Sequence, residues 1–291
     1  MGTDLSGRAS VAVEWAAERA VAHGNDLLVV TALPAVPIPH RNRMYGAMAS
    51  GDWPAKLQDE ARHSLRKQRA SIMAKHPGLN VEVRIEEAMA SYTLAQASKT
   101  AELVVIGARG RNAPLSARAL GGTALGVIAH AHGPVAVIHD QAVGTPSGPV
   151  VVGVDDGPQA EGAFRYAATE ALSRGAGLHA VHAVDVAMWT LGLDHGGIDF
   201  TEVVSAIEAH MREMVGGWAA EFPGLEVEVK VTPDRPASAL IGASDGASLV
   251  VVGARGLGGF AGLVLGSTSR AVVRESFAPV IVVRGERPTK E

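Results

Sequence analysis

The segment Val250–Arg270, VVVGARGLGGFAGLVLGSTSR, decides the fold of this 291-residue chain. It overlaps a run of four apolar residues, Leu249–Val252, which predicts a short buried strand of the kind found in parallel sheets. The stretch Gly253–Gly256 then ends the strand, and a helical pattern begins near Gly266–Thr268. Glycine lets a backbone turn sharply and approach a ligand without an intervening side chain. The pattern therefore predicts a strand, a glycine turn and a helix in succession.

The start of that helix favours an anion. We expect Ser267 or Thr268 to cap the helix, whose free N–H groups and positive dipole end attract negative charge. The spacing of Gly253, Gly256 and Gly266 matches neither the phosphate loop that requires Gly-Lys-Ser/Thr nor the tighter Gly-x-Gly-x-x-Gly turn. Glycine clusters also serve as plain turns. These residues by themselves leave a phosphate cradle and a structural loop as equal alternatives.

The composition predicts a chain with two ordinary hydrophobic cores. Hydrophobic residues make up 47% and aromatic residues only 4%, so alanine and valine dominate, which suits helices packed closely on a parallel sheet. The net charge of −4 argues against a dedicated nucleic-acid binder. The absence of cysteine excludes disulfides, thiol redox chemistry and zinc–thiolate sites. Without an apolar run near the roughly 18 residues of a membrane span, we expect a cytoplasmic protein that binds neither membrane nor nucleic acid.

The chain repeats itself. The segment Asp26–Leu33 (DLLVVTAL) matches Gly177–Val184 (GLHAVHAV), 151 positions later. The segment Ala101–Gly110 (AELVVIGARG) matches Ala247–Gly256 (ASLVVVGARG), 146 positions later. Two copies of one domain in tandem are therefore predicted.

Each copy alternates strand-like and helix-like segments, which predicts right-handed crossovers and a parallel sheet. The predicted fold class is α/β, with two tandem domains at residues 1–143 and 149–285. Each domain is expected to contain a five-stranded parallel sheet with helices on both faces.

The first copy begins with almost no first strand. Aligning the first helices of the two copies places Gly2 on Gly153 and Asp4 on Asp155, so the strand that matches Val150–Val152 is nearly absent. An interior strand that is missing leaves backbone groups of its neighbours unpaired. We therefore expect either that the natural chain begins further upstream or that another strand fills the position.

The spacing of Gly253, Gly256, Gly266 and Ser267 resembles the ATP-binding signature of the universal stress protein family, where it lies between the fourth strand and the last helix. The closing segment Ala271–Arg284 also resembles the last helix and strand of that family. The whole chain is similar to a tandem universal stress protein of the actinobacterial type. This resemblance implies Rossmann-like domains of the adenine nucleotide alpha-hydrolase type, ATP as ligand with or without Mg²⁺, and a regulatory role in a stress response.

The resemblance also implies a nucleotide site in each domain, with phosphates on the glycine loop and adenosine between the first two strands. In the second domain the implied residues are Gly153, Asp155, Ala183, Val252, Gly253, Arg255, Gly256, Gly266, Ser267 and Thr268. In the first domain they are Asp4, Ala32, Gly107, Gly110, Gly121, Gly122 and Thr123. The loop of the first domain is one residue longer, and Gly122 replaces the serine, so one hydroxyl is lost while Thr123 and the backbone donors remain.

Several charged residues near these loops have competing interpretations. Arg109 and Arg255 lie inside the glycine turns, where a guanidinium suits a phosphate and suits solvent equally well. For Asp155 we favour a ligand contact, and we expect Asp156 to cap the following helix.

The sequence predicts no catalytic residue and no metal site. His130 and His132 have the spacing of a metal pair, but a positive charge at a helix C-terminus is the favoured interpretation. We expect ATP to be a ligand or switch with slow hydrolysis at most, not the substrate of an enzyme. The alternatives are a true ATPase, or a scaffold whose domains pair through Val135–Ile138 and Val280–Val283. Expected partners are ATP, a second copy in a homodimer and a regulatory protein.

Overall fold

A computed structural model shows the same succession of strands and helices in both copies. It describes residues 1–33, 53–110, 120–140, 145–185, 200–256 and 265–284. Domain 1 contains α1 (Ala9–His23), β1 (Leu27–Leu33), α2 (Trp53–Lys75), β2 (Val81–Glu87), α3 (Ala90–Ala97), β3 (Val104–Gly107), α4 (Gly122–His130) and β4 (Val135–Ile138). Domain 2 contains β5 (Val150–Gly153), α5 (Ala160–Arg174), β6 (Leu178–Ala183), α6 (Phe200–Ala219), β7 (Val227–Thr232), α7 (Pro236–Ala243), β8 (Leu249–Gly253), α8 (Ser267–Glu275) and β9 (Val280–Val283). The predicted order of elements is confirmed, whereas the domain boundaries stay a prediction.

Domain 2 is a parallel sheet of five strands in the order β9-β8-β5-β6-β7. Successive side chains of a strand point to opposite faces, so each strand contributes to two cores. Val152 of β5 lies in the core that contains Phe164 of α5. Its neighbour Val151 lies in the core that contains Leu240 of α7 and Val272 of α8. Helices therefore cover both faces, as predicted.

In domain 1 the first residues of the chain lie where the first strand is expected. The Gly2 N–H donates to the Val105 carbonyl of β3 at 2.9 Å, and the Thr3 N–H donates to the Val30 carbonyl of β1 at 2.9 Å. Gly2 pairs with Val30 in the same parallel sense and register that Gly153 has in domain 2. This contact is a single bridge, so the first strand of domain 1 is nearly absent, as expected.

The last strands join β3 and β4 of domain 1 to the sheet of domain 2, whereas β1 and β2 form a separate two-stranded sheet, so the predicted five-stranded sheet of domain 1 is not present as one sheet. β4 and β9 pair antiparallel, which gives the order β3-β4-β9-β8-β5-β6-β7. Two polar contacts cross this junction at equivalent places. His139 Nε2 lies 2.7 Å from the Val273 carbonyl oxygen of α8, and Arg284 donates to the Ala129 carbonyl of α4 at 2.7 Å. Each domain thus holds the C-terminal end of the other domain's last helix.

The equivalent helices α1 and α5 carry opposite charges where the domains meet. Arg19 Nη2 lies 2.7 Å from Glu170 Oε1, and the two side chains are 7% and 1% exposed. These residues occupy the same position of the two copies, 151 apart in the chain. His23 and Arg174 lie 3.4 and 3.3 Å from the Glu170 carboxylate, and the Tyr166 hydroxyl lies 3.2 Å from Arg19. The buried carboxylate is therefore surrounded by cationic or potentially cationic groups.

Candidate functional site

A cavity of about 540 Å³ lies at the carboxyl ends of β5, β6 and β8. Open α/β sheets bind ligands at this edge, because loops and helix N-termini converge there. The first residues of α5 and of α8 both border the cavity, so the positive dipole ends of two helices lie beside it. At α5 the first N–H, that of Ala160, already donates to the Gly157 carbonyl at 3.0 Å. All ten residues implied for domain 2 line it: Gly153, Asp155, Ala183, Val252, Gly253, Arg255, Gly256, Gly266, Ser267 and Thr268.

Side-chain ends approach two of these glycines closely. A Cβ at Gly256 would lie 2.5 Å from Asp155 Oδ2, which is far inside van der Waals contact. A Cβ at Gly153 would lie 2.9 Å from Leu240 Cδ1. The glycine turn therefore packs directly against the aspartate, and a side chain at either glycine would force the Asp155 or Leu240 side-chain end to move.

The start of α8 differs from the sequence expectation. Its N-cap is Gly266, and no side chain caps it, so the predicted capping by Ser267 or Thr268 is wrong. Both hydroxyl residues already lie beyond the cap position. Ser269 Oγ instead fastens the first turn by donating to the Gly253 carbonyl at 2.6 Å. The helix start is thus bound to the glycine turn, and its free N–H groups border the cavity.

The start of α5 also differs from expectation. Its N-cap is Gln159, so the predicted capping by Asp156 is wrong. Asp156 lies instead 2.8 Å from His210 Nε2. Asp155 Oδ1 accepts the Gly157 N–H at 2.9 Å and shapes the turn before the helix. The aspartate therefore has a structural contact in addition to its place in the cavity.

Besides Ser269, two polar side chains that were not predicted from the sequence also line the cavity. Gln159 Oε1 accepts the Arg255 backbone N–H at 3.2 Å, while the side chain of Arg255 is exposed. His182 Nδ1 lies 2.9 Å from the Val154 carbonyl oxygen. The only sequence signal for His182 was its position next to Ala183, and Gln159 had none.

Domain 1 brings its equivalent residues together in the same way. A Cβ at Gly110 would lie 3.5 Å from Asp4 Oδ2, and a Cβ at Gly121 would lie 3.7 Å from the Gly110 nitrogen. Gly121 is the N-cap of α4, as Gly266 is of α8. The other implied residues lie at the ends of β1 and β3 and at the start of α4: Ala32, Gly107, Gly122 and Thr123.

The arginine of the domain 1 turn has an internal partner. The Arg109 guanidinium pairs with Asp140, which follows β4, and Arg8 lies 3.6 Å from the same carboxylate. Arg109 is 8% exposed, which excludes the solvent alternative for this residue. Burial raises the pKa of Asp140, but the hydrogen bond and charge of Arg109 and the charge of Arg8 lower it below its ordinary value. A carboxylate of the chain itself therefore already pairs with the arginine of this turn.

The described residues contain no group of three or more His, Cys, Asp or Glu side chains that could hold a metal ion. His130 is the last residue of α4, which agrees with the helix-end interpretation. Within the described ranges, the structure has no helix that is both long and apolar enough to span a membrane.

Comparison with known proteins identifies the family. The model of the universal stress protein family matches residues 1–139 and 147–284. A universal stress protein of Mycolicibacterium smegmatis is 34% identical over 291 residues, with 98% of this chain and 96% of that protein covered. One from Mycobacterium tuberculosis is 36% identical over 302 residues, with 98% and 95% covered. The crystal structure of a universal stress protein from Archaeoglobus fulgidus shares the fold, with a TM-score of 0.65 and 23% identity over 97% of this chain and 94% of that one. The chain belongs to the universal stress protein family, as a tandem member with two Rossmann-like domains.

Proposed function

We propose that domain 2 binds ATP and that the nucleotide acts as a regulatory ligand in a stress response. One observation carries the proposal: a glycine turn and two helix N-termini border a single cavity at the carboxyl edge of the sheet. Backbone N–H groups at helix starts are suited to phosphate oxygens, because they donate hydrogen bonds and carry the positive dipole end. Membership of the universal stress protein family supports the same reading of the glycine spacing.

The cavity also offers surface for a nucleoside. Val181, Pro236 and Leu240 provide apolar surface of the kind that covers a base. The Asp155 carboxylate is suited to accept hydrogen bonds from ribose hydroxyls, because an ionised carboxylate is an acceptor only. The proposed ligand is ATP, with or without Mg²⁺.

We propose a ligand and not a substrate because the cavity lacks an evident hydrolytic arrangement in its described part. Asp155 is the only carboxylate among the described lining residues, and its Oδ1 already accepts the Gly157 N–H. Phosphoryl transfer to water requires an oriented nucleophile and charge stabilisation in the transition state. We therefore expect turnover well below about 1 per second.

The proposed setting is the cytoplasm, where a homodimer of the chain would present a nucleotide-dependent surface to a regulatory protein. Bound ATP can change which partners dock only if it has different affinities for two states of the glycine loop. The pairing of β4 with β9 is the contact between domains on which the scaffold alternative depends. Neither strand lines the cavity, so this pairing is compatible with the proposed nucleotide site.

The test is calorimetric titration of ATP into the wild type, Gly266→Glu and the matched variant Gly121→Glu. A carboxylate at the N-cap of α8 repels phosphate and occupies its place, so we expect Gly266→Glu to weaken ATP binding about 100-fold or more. Gly121→Glu is expected to leave binding in domain 2 intact. Circular dichroism checks that both variants fold. A wild type that neither binds ATP nor co-purifies with nucleotide refutes the proposal.

A further inference from the structure

The helices α2 and α6 occupy equivalent positions in the two domains, and their charges have opposite signs. α2 contains six Lys or Arg residues and two carboxylates, which gives a net charge of +4. α6 contains one Arg and three Glu residues, which gives a net charge of −2. Each helix packs with one face on a strand of its own domain, α2 on β2 and α6 on β7, and most of the charges are exposed. The two domains therefore present outer helices of opposite charge.

The reversal occurs at matched positions. Lys56 aligns with Glu202, and Lys67 aligns with Glu213, each pair 146 positions apart. All four side chains are exposed, and none of them forms an ion pair with the described residues. The two charges of each helix are eleven residues apart, so they lie on one side of the helix at a spacing of about 16 Å. α2 and α6 thus carry the same spacing of charge with opposite sign.

The side of α6 that carries its two glutamates is otherwise formed by small residues. Ala206, Ala209 and Gly216 follow the glutamates at intervals of three or four residues, which places them on the same side of the helix. Because these residues are short, a second helix can approach α6 closely there. Glu60 is the one carboxylate on the matching side of α2, between its two lysines. The face of α6 is therefore shaped to receive a helix, and its charge selects a basic one.

The contact between α1 and α5 shows how such a reversal is used inside the chain. β4 pairs antiparallel with β9, with Ala136 opposite its equivalent Ile281, so a local twofold axis relates the domains at this junction. Arg19 and Glu170 are also at equivalent positions, and they meet where α1 and α5 pack together. Equivalent helices of opposite charge thus already form one contact between the domains. A second copy of the chain would allow α2 and α6 to form another.

We propose that the chain forms a homodimer in which α2 of each copy packs against α6 of the other. A twofold axis that brings α2 onto α6 of the second copy also brings α6 onto α2 of that copy, so the contact forms twice and the assembly closes. A basic helix would also suit nucleic acid, but the exposed glutamates of α6 and the net charge of −4 repel a phosphate backbone. This inference rests on the homodimer of the proposed function and names its surface. Neither helix contributes a described residue to the lining of the nucleotide cavity.

The test uses two variants of the full chain, each with two charge reversals. Lys56→Glu with Lys67→Glu makes this side of α2 acidic, like α6. Glu202→Lys with Glu213→Lys makes this side of α6 basic, like α2. In either variant like charges face each other, so we expect the dimer dissociation constant to rise about 100-fold or more, as measured by analytical ultracentrifugation. Lys99→Glu, at an exposed position outside both helices, should leave the dimer unchanged.

Mixing the two variants tests complementarity directly. In an equimolar mixture the acidic α2 of one variant meets the basic α6 of the other, and the acidic α6 meets the basic α2. We therefore expect a heterodimer with an affinity close to that of the wild-type dimer, detected with a fluorescent label on one variant. The wild type alone provides a further check, because its dimer should dissociate more readily as the salt concentration rises. Circular dichroism checks that both variants fold.

A wild type that is monomeric at about 100 μM, or a dimer that survives both pairs of reversals, overturns the proposal. A mixture of folded variants that stays monomeric also overturns it, because opposite charge is the reason for the contact. A monomer that binds an oligonucleotide, and loses that binding when α2 is made acidic, assigns the surface to nucleic acid instead. Titration with ATP keeps the two proposals apart: both variants should bind ATP as the wild type does, and a wild type that dimerises without binding ATP refutes only the nucleotide site.

Discussion

Domains 1 and 2 make the same glycine contacts with different electrostatics. A Cβ at Gly2 would lie 2.5 Å from Leu94, just as a Cβ at Gly153 would lie 2.9 Å from the equivalent Leu240. The helix that follows each glycine turn begins at a glycine N-cap. The two copies therefore share the close approach of a leucine side chain to the glycine at the end of the first strand. The approach of the aspartate to the glycine turn is tighter in domain 2, where a Cβ at Gly256 would lie 2.5 Å from Asp155, than in domain 1, where a Cβ at Gly110 would lie 3.5 Å from Asp4.

The charges around that backbone differ. In domain 1, Arg109 of the turn pairs with Asp140, which supplies a negative charge from within the chain. In domain 2, the side chain of Arg255 is exposed, and its backbone N–H is held by the neutral Gln159. The two copies therefore share the backbone of the glycine turn, but its arginine pairs with an internal carboxylate in domain 1 and has an exposed side chain in domain 2. This difference is why we propose the nucleotide site for domain 2.

The largest expected effect concerns the charge difference between α1 and α5. Glu170→Arg places a cation against Arg19 and Arg174 in a buried interface, so the free energy of unfolding should fall by about 3–5 kcal/mol. Urea unfolding measures this. Reversing both charges, with Arg19→Glu in addition, restores opposite signs at the pair and should recover part of the loss. Glu161→Arg is the exposed control, with an expected cost of about 1 kcal/mol or less. Equal costs for both single variants would contradict the interface role.

An intermediate effect is expected for Asp140→Asn, which removes the internal anion of domain 1. The loss of two charged contacts should lower the free energy of unfolding by about 1–3 kcal/mol at pH 7. Because the pKa of Asp140 is lowered in the folded state, its stabilisation is present above the unfolded value of about 3.9 and is lost as the pH falls through the folded pKa. Unfolding measured from pH 7 down to about pH 2 should therefore show a constant stability difference above about pH 4 and convergence of the two proteins below it.

The control for that prediction is Asp156→Asn in domain 2, where the carboxylate is 52% exposed and pairs only with His210 among the contacts described. Its expected cost is within about 1 kcal/mol, because exposed pairs contribute little. A stability difference between wild type and Asp140→Asn that grows as the pH falls would argue against the ion pair.

The smallest effect is expected for Gln159→Ala, which removes the acceptor of the Arg255 N–H. A glycine turn that is held less firmly should bind ATP roughly 2- to 10-fold more weakly, as one lost hydrogen bond implies. Arg8→Ala, at the equivalent position of domain 1, should leave that affinity unchanged. Tighter ATP binding by Gln159→Ala would show that the glutamine competes with phosphate for the turn, contrary to our expectation.

Sequence patterns predicted the strands better than the helix starts. β9 has the predicted bounds Val280–Val283, because an uninterrupted apolar run between breakers marks a buried strand. The caps were predicted wrongly at Asp156 and Ser267. A cap depends on the residue at which the backbone leaves helical dihedral angles, and here the glycine turn and Ser269 set that residue.

In the candidate site, too, the residues close together in the chain were predicted and the contacts between distant residues were not. The glycine spacing and Asp155 were available from the aligned repeats, since residues that shape a turn lie close together in the chain. The role of Gln159 was not predicted, because its hydrogen-bond partner, Arg255, is 96 positions away in the chain. The contact of His182 with the Val154 carbonyl was not predicted, because the two residues lie on different strands and the equivalent contact in domain 1 is made by Thr31.

By itself, the sequence determined the tandem repeat, the alternation of strands and helices, and the glycine positions of both turns. These features depend on local hydrophobic periodicity and on glycine, whose backbone is less restricted than that of other residues. Only the tertiary structure decided which charges meet: Arg19 with Glu170 across the domains, and Arg109 with Asp140 inside domain 1. Such pairs depend on how distant segments pack, and no local pattern encodes the distance between two side chains that the fold brings together.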